Sequence, residues 1–332
     1  MLGETNGSAK EPRVLLSGSI AYDYIMAFPG SFGDHILPDK THVLSVSFLV
    51  NSLKRQRGGV AGNIAYSLAL LGERPLLVGA GGADFGPYRD EFEKLGIDLS
   101  MVLDVPVELT ASAFMMTDRR DNQIAAFYPG ASGHIDGFSV AAAAATVPYG
   151  LVGPTLPSAM RDHANQISAA GSRLIYDPSQ QIVALSPEDL VAGIDDAWAL
   201  VGNDYEFAMI EQKTGLSIDA LTERVSLLIV TYGEEGSEFR KDGKSVRIPS
   251  AKTEQVTDPT GAGDAFRAGL IKGLLVDAEI EVVGRIGSLA ATFAVECLGT
   301  QEHNYDIPAF IERFDQAFPD FKGAVSVSQF RA

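Results

Sequence analysis

The sequence predicts an α/β fold, a three-layer α/β/α arrangement around a mostly parallel central sheet with a small β-sheet lid. Three observations carry that expectation. Short apolar runs rich in Val, Ile and Leu alternate with longer amphipathic stretches, the pattern of βα units whose sheet is buried on both faces. Two stretches break that rhythm and alternate apolar and polar residues with period two, as strands do when one face is covered and the other open. A chain of 332 residues, 46% of them hydrophobic, can also bury a substantial core.

The central strands are expected at Val14–Gly18, Pro75–Gly79, Tyr149–Gly153, Arg173–Asp177, Ala199–Gly202 and Leu227–Thr231. Several end in a small or polar residue, which matters because ligands of open α/β sheets bind beyond the carboxyl ends of the strands. The first rhythm-breaking stretch runs from Asp23 to Arg57 and contains the alternating patch Leu44–Val50. The second runs from Val107 to Tyr128, with Leu109–Thr117 and Gln123–Tyr128 flanking a turn at Asp121-Asn122. Paired together they would form a separate small sheet over the strand ends; the plainer reading makes each an edge hairpin of the main sheet. The expected division is therefore a large α/β domain of 12–22, 58–106 and 132–332, and a small β lid of 23–57 and 107–131. Unpaired lid edges invite a second copy, so a homodimer through the lid strands is the expected assembly. Ala141–Ala145 is a local helix-former run.

Charge narrows the classes of partner. Lys+Arg 26 against Asp+Glu 43 gives a net charge of −17, which repels nucleic acid and anionic membrane surfaces. The densest basic run, Lys54-Arg55-Gln56-Arg57, is short, and no apolar run approaches a membrane span. The single cysteine, Cys297, lies in an apolar stretch and fits a reducing, cytoplasmic compartment. Met1–Glu11 reads as a loose polar leader. The five histidines, His35, His42, His134, His163 and His303, show no metal-ligand spacing and no order that joins them to a serine and an acid.

The strongest chemical signal is the block Thr257–Leu270. Gly261 and Gly263 flank Ala262 in a turn that can present consecutive main-chain N–H groups, and the following helical stretch from Asp264 adds its positive dipole end. Such a concavity suits the charge that builds on a phosphoryl group in transfer. Asp264 at the same helix start makes sense as the base that takes the proton of an attacking hydroxyl. The plainer reading is a glycine turn followed by an acidic helix cap. A second glycine-rich block, Gly58–Gly72, carries Gly59, whose backbone can approach a ligand closely, and Asn63, which can both donate to and accept from a sugar hydroxyl.

Together these blocks resemble the two signatures of the ribokinase-like carbohydrate and nucleoside kinases, with Pro259 inserted after Asp258. Gly82-Ala83-Asp84-Phe85-Gly86, Asn203-Asp204-Tyr205-Glu206 and Thr231–Gly236 are similar to further motifs of that family, in the same order. The resemblance implies an ATP-dependent kinase with Asp264, Gly261, Ala262 and Gly263 as catalytic residues. It implies Asn203, Thr231, Gly233, Gly236, Gly261, Gly263 and Arg267 around ATP. Glu206 is then expected to influence Mg²⁺ through water, since Mg²⁺ keeps much of its hydration shell. Asp258 would lie near a K⁺ site formed by carbonyls of 256–258 and 299–300.

Stretches outside those signatures are similar to the bacterial adenosine kinases of actinobacterial type. They include Gly18–Asp23, Phe28–Gly30, Ser47–Val50, Phe127–Gly130, Asp177–Gln181 and Gly299–Glu302. By that resemblance Asp23, Asn63 and Gly59 would hold the ribose. Ser19, Ser47, Gln180 and Gln181 would address or line the purine pocket, and Phe114 and Phe127 would stack on the base. Ala184 stands where that branch, as aligned, carries an arginine. The implied reaction is ATP plus adenosine giving AMP. The competing readings are a ribose or fructose kinase of the same family, and a non-catalytic nucleoside- or dinucleotide-binding α/β protein. The last lacks a Gly-x-Gly-x-x-Gly after the first strand.

Overall fold

The structure is a computed structural model that describes residues 11–36, 45–253 and 255–331. Along the chain run β1 (Val14–Ser17), β2 (Ala21–Ala27), β3 (Ser52–Gly58), α1 (Val60–Leu70), β4 (Leu76–Gly82), α2 (Gly86–Lys94), β5 (Asp98–Val105), β6 (Ala111–Thr117) and β7 (Gln123–Tyr128). They are followed by α3 (Ala141–Ala144), β8 (Tyr149–Val152), α4 (Pro157–Ala169), β9 (Arg173–Tyr176), α5 (Pro187–Asp196), β10 (Ala199–Asn203), α6 (Asp204–Thr214), α7 (Ile218–Arg224) and β11 (Leu227–Thr231). The chain ends with β12 (Ser237–Lys241), β13 (Lys244–Ile248), α8 (Ala262–Leu275), α9 (Ile280–Val295), α10 (Ile307–Ala317) and α11 (Val327–Arg331).

The large sheet has the order β13-β12-β11-β10-β9-β8-β1-β4-β5 and is parallel from β11 to β5, with β12 and β13 antiparallel at one edge. Alternation along a strand divides the core into two layers. Val14 and Leu16 of β1 join the cluster built on α1, α8 and α9, while Leu15 between them joins the cluster built on α4, α5, α6 and α7. The six apolar runs read as central strands are β1, β4, β8, β9, β10 and β11. The structure adds β5 and the β12–β13 hairpin, whose charged residues disguise them. Glu238 of β12 is buried and collects Arg240, Ser245 and Tyr232.

A second, four-stranded sheet has the order β3-β2-β6-β7. Its pairing is mixed: β2 runs antiparallel to β3 and parallel to β6, and β6 is antiparallel to β7. The strand expected at 44–50 is corrected. Residues 45–50 lie outside the ladder, and the pairing falls on Ser52–Gly58, which includes the basic run 54–57. The reason is aromatic packing, since Phe48 is drawn into a cluster with Phe28 at 5.0 Å and Phe32 at 5.1 Å. Leu44, His42 and the leader at 1–10 lie outside the described residues. Among the described residues no helix is long and apolar enough to cross a membrane.

Candidate active site

Helix α8 starts where the glycine block predicts, at a turn only glycine fits comfortably. Gly261 adopts φ of +81°, and a Cβ there would lie 3.0 Å from Cγ2 of Thr300. The turn is braced from below by Asp258. One carboxylate oxygen accepts from the Thr260 N–H at 2.9 Å and the other from the Gly299 N–H at 3.0 Å. The Ala262 N–H donates to the Pro259 carbonyl at 3.3 Å, so it has less to offer an incoming anion than its neighbours in the turn.

Asp264 stands on the first turn of α8 and is half-buried. The Asn63 side-chain N–H donates to its Oδ2 at 2.7 Å. Burial pushes the Asp264 carboxyl up to about 6, with Arg267 and the Asn63 hydrogen bond pulling the other way and Asp23 and Glu206 pushing it further up. A carboxyl so poised is ionised near neutrality and still basic enough to accept a proton. Asp23, on β2, is likewise raised to about 6 by burial. Its carboxylate occupies space that a side chain on Gly58 would fill, since a Cβ there would come within 2.2 Å of an Asp23 oxygen.

A cavity of about 1070 Å³ opens beside the α8 turn. Of the residues expected around ATP, Thr231, Gly233, Gly236 and Gly263 line it, as does Ala262. Its lining also includes Pro249–Thr253 and residues of α9 up to Val295, which the sequence reading missed because no motif marks them. Gly236, at φ of +94°, passes so close to β13 that a Cβ would meet the Ile248 carbonyl at 2.1 Å. Asn203 caps α6 and is tied to Glu206 by a reciprocal pair of 2.8 Å hydrogen bonds.

Arg267 is a correction. In place of a phosphate-facing or surface position, its guanidinium is buried beneath Gly263, paired with the fully buried Asp177 and 3.7 Å from Glu206. Burial pulls the arginine down, but the Asp177 charge outweighs it and the guanidinium is held protonated; burial pushes Asp177 up to about 7 in spite of the arginine. Arg267 therefore lies behind the turn.

On the acceptor side, the Ser19 hydroxyl receives the Val60 N–H at 2.9 Å at the start of α1, and Gly59 at φ of +87° lies against the backbone of Ser19–Ala21. Gln181 donates to the Thr155 carbonyl at 2.5 Å, while Gln180 and Ala184 are exposed. Ser47 is exposed outside the lid ladder. The register separates the two phenylalanines. Asp23, Ala113 and Phe127 align across the lid and share one face; Tyr24, Phe114 and Ala126 share the other. Phe114, 39% exposed, stacks on Tyr24 at 4.9 Å, and Phe127 is 62% exposed on the opposite face, so the structure does not bring the two phenylalanines onto one face as a joint stack requires.

An ionisable carboxyl at a glycine-turned helix start, beside a cleft of this size, fits a phosphotransferase with an alcohol group as acceptor. The chain belongs to the pfkB family of carbohydrate kinases, whose model matches residues 25–307. It is 33% identical over 312 residues to a nucleoside kinase of Methanothermobacter thermautotrophicus, covering 92% of this chain and 96% of that one. Among solved structures it is similar to the Burkholderia thailandensis nucleoside kinase in complex with inosine, at 37% identity and TM-score 0.82, covering 92% and 98% of the two chains. The ADP-inosine complex of the same kinase matches at 38% identity and TM-score 0.80, covering 92% and 96%. The resemblance thus holds at the level of nucleoside kinases and not specifically of actinobacterial adenosine kinases.

Proposed function

We propose that this chain is an ATP-dependent nucleoside kinase acting in purine salvage, with the 5′-hydroxyl of adenosine as acceptor and AMP as product. The observation that carries the reading is Asp264 itself, a raised carboxyl on the first turn of α8, held by Asn63 and next in sequence to Gly263, which lines the nucleotide-sized cleft. The attacking oxygen forms a bond to the γ-phosphorus, the bridging bond to the β-phosphate breaks, ADP leaves, and the hydroxyl proton passes to Asp264. Asp23 and Asn63 would hold the ribose and Phe127 the base, on the face of the lid that Asp23 shares. The complexes of the Burkholderia kinase with inosine, and with ADP and inosine, support a purine nucleoside and an adenine nucleotide as the two ligands.

Mg²⁺ would neutralise the charge between the phosphates. Glu206, half-buried at the start of α6 and 3.7 Å from the Arg267 guanidinium, is the carboxylate that would reach such an ion through water. The Asp258–Gly299 bond brings together the two loops expected to hold K⁺. A cytoplasmic setting fits the lone thiol, and β7, an exposed edge strand, would serve a homodimer. Phosphorylation assays with ATP across adenosine, inosine, guanosine, ribose and fructose test the reading. Turnover of free sugars with none of nucleosides would replace it with a sugar kinase.

A further inference from the structure

We infer that Gln301 is a positioning residue for phosphoryl transfer: its buried amide fixes the orientation of Asn63, and Asn63 in turn fixes the carboxylate of Asp264. The inference rests on Asp264 as the base and extends it to a group that does not touch it. Gln301 is 2% exposed. Its NH₂ group donates to Asn63 Oδ1 at 2.9 Å and to the Tyr88 hydroxyl oxygen at 2.7 Å. The Tyr88 hydroxyl proton is already given to the Gly58 carbonyl at 2.8 Å, so Tyr88 offers Gln301 only a lone pair. On the other side, Gln301 Oε1 faces the Arg57 Nε–H at 3.3 Å, a group that can only donate. The Gln301 amide therefore has one workable orientation.

That orientation propagates. Because Asn63 Oδ1 is engaged by Gln301, the Asn63 NH₂ is the group directed at Asp264 Oδ2, at 2.7 Å. Turning Asn63 over would set its carbonyl against a carboxylate and two NH₂ groups against each other, leaving buried polar atoms unpaired. With Oδ2 held, Oδ1 is the oxygen that remains to take the proton. Room for the relay is built into α1: a Cβ on Gly62 would come within 2.3 Å of the Tyr88 hydroxyl and 3.5 Å of the Gln301 amide nitrogen. The loop carrying Gln301 is itself anchored at two places, by the Thr300 hydroxyl on the Arg57 carbonyl of β3 at 2.9 Å and by the Gly299 N–H on Asp258. The lid strand β3 and the anion-receiving turn thus both set where Gln301 lies.

The test is a double-mutant cycle on the full chain with ATP and adenosine, or whichever acceptor the assay above identifies. Gln301→Met keeps the shape and removes the donors, and kcat is expected to fall about 10-fold, the scale of coupling within one buried hydrogen-bond network. In an Asn63→Ala background the same change is expected to have no further effect, because Gln301 acts through Asn63. The acid limb of the kcat profile is expected to move to higher pH in Gln301→Met, since a hydrogen bond to the ionised carboxylate is weakened. The other charges facing Asp264, namely Asp23 from β2, Glu206 from α6, Arg267 from α8 and Asp177 behind it, are untouched by that change. Should Gln301→Met not melt cooperatively, Gln301→Asn, which keeps the amide but falls short of Asn63, carries the same expectations. Equal kcat losses from the Gln301 change with and without Asn63, or an unmoved acid limb, would overturn the inference. Asp264→Asn is the control that separates the two layers: if it retains turnover the base assignment itself fails, and if it is inactive while Gln301→Met is normal, only the positioning role fails.

Discussion

The first turn of α8 and the outer strand of the lid are built for opposite circumstances. Around Asp264 the polar groups already have partners: Asn63 is bonded on both ends of its amide, Asp258 holds two main-chain N–H groups, and Arg267 is locked to Asp177. On β7 every residue is exposed, and Phe127 and Ile124 present apolar surface to solvent. Groups that must stabilise a charge existing only in the transition state gain from being fixed beforehand, since no reorganisation is then needed at the moment of reaction. Groups that recognise a base can wait for the base to cover them, because the burial of their surface is itself the binding energy. On the proposed reading, the chemistry falls to the half whose polar groups are already paired, and recognition is divided between both.

The largest break in this comparison is expected from Asp264→Asn. Removing the base should lower kcat by about 10²-fold or more while nucleoside affinity by calorimetry stays within about 3-fold. Near-normal turnover would remove the assigned role. With Asp264 raised to about 6 and active as the ionised form, wild-type turnover should rise with pH through about 6 and level off above it. A profile still rising steeply through pH 8 would point to another group. Next comes Gly261→Ala. A side chain at φ of +81° costs about 1–2 kcal/mol, and its Cβ presses on Thr300, so the turn shifts and kcat should drop about 10-fold. A nucleotide KM that changes while kcat does not would mean the turn binds ATP without serving the transition state.

Asp23→Asn should act on the other half of the division. A hydrogen bond to a charged partner contributes about 1.5–3 kcal/mol, so the acceptor KM should rise at least about 10-fold with a smaller change in kcat. Loss confined to kcat would place Asp23 with the chemistry and not with the ribose.

What the sequence made legible follows the same line. Glycines forced by backbone geometry, at 59, 236 and 261, stand in motifs that can be read directly, and each has a positive φ and a close neighbour that explains it. Six apolar strands are equally plain because burial on both faces leaves no room for polar residues. The hairpin of β12 and β13 is hidden by its charged residues, because the pairing of buried Glu238 with Arg240, and of Arg240 with Asp219 on α7, leaves no apolar run to read. Arg267 looked like a phosphate ligand because nothing local to it announces Asp177, ninety positions earlier. Gln301 belonged to a recognisable stretch, but its partners Asn63, Tyr88 and Arg57 come from three other segments. Side-chain relays assembled from separate elements leave no periodic trace.

The finest test uses the lid's two faces, which differ by a single residue of register. Phe127 shares a face with Asp23 and is the more exposed of the two; Phe114 is on the reverse, stacked on Tyr24. Phe127→Ala should raise the nucleoside KM by about 5-fold, within the range of one aromatic stack, and leave the melting temperature nearly unchanged because little is packed against it. Phe114→Ala should do the reverse, losing the stack on Tyr24 for about 0.5–1.5 kcal/mol of stability with the KM unmoved. Alternation in a strand admits no compromise between the two outcomes, since neighbouring side chains point to opposite faces. Equal effects of the two alanines on KM would mean that the lid turns as it meets the ligand, and that the open face seen here is not the one that binds.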